Sequence, residues 1–120
     1  MEDFKLGVVE ARFADIVWEN APLSTRELIK LCDKALNWKR TTTYTVLKKL
    51  CERGLFRMEN STVYTEVSRA EFFAMQSEKF VENTFEGSLP AFIAAFTTRK
   101  VPNAAEIAEI RRMIDRFEEK

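Results

Sequence analysis

The segment from Asn37 to Val67 constrains this chain most, because its hydrophobic periodicity changes there from helical to strand-like at a single glycine. From Thr41 to Leu50, short hydroxyl side chains and lysines occupy one helical face, and Val46, Leu47 and Leu50 occupy the other. Gly54 stands where the residue after a helix commonly enters left-handed backbone. Leu55 to Glu59 and Val63 to Val67 then alternate as two short strands around Asn60-Ser61-Thr62, and Asn tolerates the positive φ of a tight turn.

The upstream sequence supplies two more helices. Val8 to Glu19 carries Val9, Phe13, Ile16 and Val17 on one face, with Trp18 near its end, and Asn20-Ala21-Pro22 breaks it. Ser24 with Glu27 forms a capping box, which predicts a second helix whose buried side is Leu28, Ile29, Leu31 and Cys32. Three helices delivered into a β-hairpin are the layout of a winged helix-turn-helix, which sets its third helix in a DNA major groove. The expected fold is mainly α with a small β-hairpin: a winged helix-turn-helix over residues 1–68, followed by C-terminal dimerisation helices over residues 69–120.

Charge is distributed in keeping with that layout. The chain is neutral overall, yet residues 37–57 hold Lys39, Arg40, Lys48, Lys49, Arg53 and Arg57 against Glu52 alone, a net of +5. Local positive charge on the element expected to meet phosphates is the footprint that nucleic-acid binding requires. The hydrophobic fraction of 46%, with ten Phe, is ample for a packed core. No run of 18 apolar residues occurs, and the acidic Met1-Glu2-Asp3 start is unlike a signal peptide, so the expected location is cytoplasmic. Cys32 and Cys51 then read as reduced, half-buried small hydrophobes.

Seven of the ten Phe fall within residues 70–120. Ser68 with Glu71 opens a helix through about Glu86, and Gly87 ends it. Ser88 opens another, with Leu89, Phe92, Ile93 and Phe96 on one face. Lys100-Val101-Pro102 breaks the chain, and Asn103 with Glu106 caps a last helix bearing Ile107, Ile110, Ile114 and Phe117 at 3-4-3 spacing. Narrow apolar stripes of this kind need an opposing surface, as in a coiled coil. A homodimer is expected, with Phe80, Phe92, Ile93, Phe96, Ile107, Ile110, Ile114 and Phe117 at its interface; the alternative is that these helices fold back on the winged domain.

Catalysis has little to stand on. The chain has no His, its two Cys lack a neighbouring general base, and Gly7, Gly54 and Gly87 stand singly rather than in a phosphate-binding loop. Neither an enzyme, a cofactor nor a metal site is expected. Binding chemistry is better supplied. Thr41, Thr42, Tyr44 and Thr45 lie in the helix turns that reach base edges, where hydroxyls donate or accept and Thr methyls pack on thymine. One of Thr41 to Thr43 is alternatively an N-cap, and Thr43 and Val46 alternatively point inward. Lys39 and Arg40 precede these residues, and Lys48, Lys49 and Arg53 follow them as candidate phosphate contacts. Arg57, Asn60 and Ser61 are candidate wing contacts, while Trp38 reads as a core anchor. A winged-helix protein-interaction module without DNA is the alternative function, for which an apolar or acidic third helix would be the sign.

Taken together, these residues resemble the repressor family of the penicillinase and methicillin-resistance operons, the BlaI/MecI/CopY type. The similarity runs from Glu10 to Trp18, through Ser24-Thr25-Arg26-Glu27-Leu28, to its most specific part. That part comprises Trp38 with Thr41, Thr42, Tyr44, Thr45, Leu47, Lys48, Leu50, Glu52, Gly54 and Leu55; Tyr64 matches an aromatic of the wing. The resemblance implies a dimeric repressor on a palindromic double-stranded DNA operator, relieved when a membrane sensor protease, or a linked proteolytic event, cuts the dimerisation region. The family's cut between Asn and Phe corresponds here to Ala95-Phe96. Family members that repress β-lactam resistance often carry Arg where Tyr44 stands, so a different operator sequence is implied. The cysteine-rich tail of copper-responsive relatives has no counterpart after Arg116.

Overall fold

The computed structural model describes residues 5–119. Helices α1 (Val8–Asn20), α2 (Thr25–Leu36) and α3 (Arg40–Glu52) precede strands β2 (Phe56–Glu59) and β3 (Thr62–Thr65), and β1 (Leu23–Ser24) lies between α1 and α2. Helices α4 (Arg69–Phe85), α5 (Leu89–Arg99) and α6 (Ala104–Glu118) complete the chain. The architecture is mainly helical with a small antiparallel sheet, a winged helix followed by C-terminal helices.

Local chemistry accounts for most of the boundaries. Ser24 Oγ accepts from Glu27 N–H, and the Glu27 carboxylate accepts from Ser24 N–H, so two otherwise orphaned donors at the start of α2 are satisfied. The same reciprocal pair recurs at Ser68 with Glu71 and at Asn103 with Glu106. At the end of α3, Gly54 sits at φ +88°, Gly54 N–H donates to Cys51 O and Leu55 N–H donates to Leu50 O. That Schellman geometry needs left-handed backbone at Gly54 and turns the chain straight into the wing.

The wing turn is tighter than Asn60-Ser61-Thr62. Glu59 pairs with Thr62, which leaves a two-residue loop with Asn60 at φ 53° and Ser61 at φ 61°. Two consecutive positive φ values make the primed turn whose twist matches that of its flanking strands. Strand β1 was not expected from the sequence. Leu23 and Ser24 pair with Val63 and Thr62, giving strand order β1-β3-β2, and Thr25 N–H donates to Ser61 O at 2.9 Å. The start of α2 is thereby fastened to the wing.

The chain divides into two compact units, residues through Lys79 and residues from Phe80 onward. In the first, Phe13, Ala14 and Val17 of α1 meet Leu28 and Cys32 of α2, Leu47 and Leu50 of α3, and Leu55, Phe56 and Val63 of the wing. Phe72 of α4 is buried in the same core. Trp18 lies 5.7 Å, centroid to centroid, from both Phe56 and Phe72, and its indole N–H donates to Val67 O at 2.9 Å. Trp38 stacks on Phe13 and is indeed a core anchor. Cys32 is fully buried and Cys51 half-buried, and desolvation raises both thiols above their ordinary pKa.

In the second unit, Phe80, Phe85 and Phe92 form an edge-to-face cluster with centroids about 6 Å apart, and Phe96 extends it from Phe92. Much apolar surface is left over. Ile93 and Phe96 on α5 are exposed, as are Ile107, Ile110, Met113, Ile114 and Phe117 on α6.

Candidate nucleic-acid interface

Helix α3 begins at Arg40, with Lys39 in the N-cap position and Thr43 N–H donating to Lys39 O. None of the three threonines is therefore its N-cap. Thr43 is buried, and its hydroxyl donates to Lys39 O at 3.1 Å, which takes it away from any ligand. Thr41, Thr45 and Lys48 recur at spacings of four and three and share one exposed strip. The Thr45 hydroxyl donates to Thr41 O at 2.9 Å and keeps its lone pairs free to accept from a base amino group. Thr42 is exposed beside that strip, and Tyr44 is half-buried on its other flank.

The basic residues fall into two groups. At the far end of α3, Lys49 Nζ lies 2.7 Å from Glu10 Oε2, Arg53 lies 3.9 Å from Glu10 Oε1, and Arg53 donates to Lys5 O at 2.8 Å. On the wing, Arg57 pairs with Glu59 at 2.6 Å and Glu66 at 3.1 Å, and its guanidinium sits 4.3 Å from the Tyr64 ring centroid. With two carboxylates on one guanidinium, this part of the wing presents no net positive charge. By contrast, Arg26, Lys30, Lys39, Arg40 and Lys48 have no carboxylate within ion-pair distance among the described residues.

Three of those cations, Arg26, Lys30 and Arg40, come together. An open groove is lined by Ser24, Thr25, Arg26, Ile29, Lys30, Arg40, Tyr44 and Ser61, from the first turns of α2, the first turns of α3 and the wing turn. Arg26 and Lys30 are additions to the residues expected from sequence. Their four-residue spacing on α2 was the available signal, but that helix reads most readily as a buried support. Asn60 and Ser61 form the wing tip, and both are exposed. The groove joins unpaired positive charge, hydroxyl groups and an aromatic face without a paired acid, which suits a polyanion with readable edges.

The penicillinase repressor family model matches residues 6–116. The chain belongs to the penicillinase repressor family. It is 19% identical over 117 residues to the methicillin resistance regulatory protein MecI of Staphylococcus aureus (strain Mu50 / ATCC 700699), an alignment covering 94% of this chain and 95% of that protein. Like other penicillinase repressors, it is a DNA-binding transcriptional regulator rather than an enzyme. No helix among its described residues is long and apolar enough to cross a membrane.

Proposed function

We propose that this penicillinase-repressor family member acts as a homodimer that binds a palindromic operator and blocks transcription from it. One observation supports this reading above the rest: Arg26, Lys30 and Arg40, which have no acidic partner among the described residues, line one groove where the starts of α2 and α3 meet the wing turn, whereas Lys49, Arg53 and Arg57 are held by carboxylates. In this reading Thr41, Thr42 and Thr45 contact base edges while Lys39, Lys48, Arg26 and Lys30 grip phosphates. Asn60 and Ser61 approach the neighbouring backbone through the wing tip.

The surface of α5 and α6 supports dimerisation. Ile110 is 44% exposed and Phe117 64% exposed, on a helix whose described residues are all exposed. A seam of that length, left in water, favours association, and a second copy carries the matching stripe. Two recognition helices related by a two-fold axis then read a site with the same symmetry.

Relief of repression by proteolysis at Ala95-Phe96 would act on this same region. Both residues are exposed, but they lie within helix α5, so a protease that binds extended chain must unwind a turn first. Fluorescence anisotropy on a duplex from upstream of the protein's own gene, beside a scrambled duplex at two salt concentrations, tests the DNA reading. Preferential binding to the upstream duplex is expected; equal binding to both contradicts it.

A further inference from the structure

Arg40 and Tyr44 stand one turn apart on the groove side of α3, and the Arg40 guanidinium carbon lies 5.6 Å from the Tyr44 ring centroid, within cation–π range. The tyrosine is a firm support, because it is half-buried and packs against the core of the winged unit. Arg40 is exposed, is the first residue of the recognition helix, and has no carboxylate partner among the described residues. A long side chain at such a position ordinarily loses rotamer freedom when it binds. Here the ring face restricts it beforehand.

Lys39, Lys48, Arg26 and Lys30 already supply positive charge for phosphates. What Arg40 adds is a planar fork of donors at the helix turn that enters the groove. Among base edges, the one that fits this fork is the O6/N7 pair of guanine, whereas adenine presents an amino donor where O6 would be. We infer that Arg40, positioned by the Tyr44 ring, reads one guanine in each half of the operator, and that Tyr44 is a positioning residue for this contact. The inference rests on the operator-binding reading above.

The test is selection from a randomised duplex library with the full chain, comparing wild type with Arg40→Lys, Tyr44→Phe and Tyr44→Leu. Wild type selects guanine at one symmetric pair of positions. Arg40→Lys keeps the charge but loses the fork, so the preference at that pair falls about 10- to 100-fold, the range of one bidentate contact. The salt slope on random DNA keeps its value, because the charge is retained. Tyr44→Phe retains the guanine preference, and Tyr44→Leu weakens it at that pair alone. Arg40→Lys with an unaltered base profile overturns the inference, as does an equal loss at every position, which marks a phosphate contact. A wild type that selects no sequence overturns the operator reading itself, and this shows before any variant is made.

Discussion

Lys49 Nζ lies 2.7 Å from Glu10 Oε2. This pair ties the far half of α3 to the start of α1, and Arg53 joins it through the other oxygen of the same carboxylate. Glu10 also accepts from Gly7 N–H at 3.1 Å, which closes the first turn of α1. One acidic side chain thus caps a helix and holds two cations, so the charge that α3 offers to a ligand is concentrated at Lys39, Arg40 and Lys48.

Adjacent lysines should therefore behave differently. Lys48→Ala is expected to weaken binding to all sequences alike and to lower the slope of log affinity against log salt by about 0.9 for each phosphate that is no longer neutralised. Lys49→Ala should change that slope far less, since its ammonium is already neutralised by Glu10. Salt titrations of both variants on one duplex check this.

Acid should expose the role of Glu10. Its hydrogen bonds from Lys49 and Gly7, against opposing desolvation, hold its carboxyl below the usual carboxylate range. The ionised form is thus favoured in the folded state, so its stabilisation is complete above the ordinary carboxylate pKa and is lost as pH falls through the lowered folded value. Urea midpoints of wild type and Glu10→Gln should differ at pH 7 and converge as the solution is taken towards pH 3.

The groove should respond at α2. Arg26→Ala and Lys30→Ala are each expected to reduce affinity for specific and random DNA by the same factor and to flatten the salt slope by about one phosphate per copy. Selectivity between sequences should survive both changes, which competition binding measures.

Much of the fold is legible in the sequence because it is local. Three reciprocal caps and the Gly54 helix end are written within three or four residues of sequence, and the structure contains them all. The features that were not legible join distant residues. Strand β1 is only two residues long and carries no period; it exists because Val63 and Thr62 are there to pair with it. The partnership of Glu10 with Lys49 and Arg53 spans about forty positions, so a basic run that reads as uniformly available is in fact half neutralised. Arg57 is tied in the same way by Glu66 across the hairpin, and Arg26 and Lys30 acquire meaning only once Thr25 is fastened to the wing turn.

The C-terminal helices should part on a single charge. Ile110→Glu places a carboxylate in the middle of the α6 stripe and is expected to convert a dimer to a monomer in sedimentation equilibrium at micromolar concentration. Operator affinity should fall steeply, because each half-site is then bound alone. A change of association state without loss of helical circular dichroism separates this from unfolding.

Core truncation sets the scale for comparison. Leu47 is buried on α3, and Leu47→Ala should cost about 2–5 kcal/mol in chemical denaturation. That would loosen the face that holds Thr41, Thr45 and Lys48 in line, so all DNA binding should weaken together.

The most direct measurement is the affinity of the full chain for a duplex selected from its own genome, beside a scrambled duplex of equal length, across a salt series. Falling lines are expected for both, with slopes of several phosphate contacts per dimer and the selected duplex bound about a thousandfold or more tighter. Coincident lines, or binding that ignores salt, would contradict it.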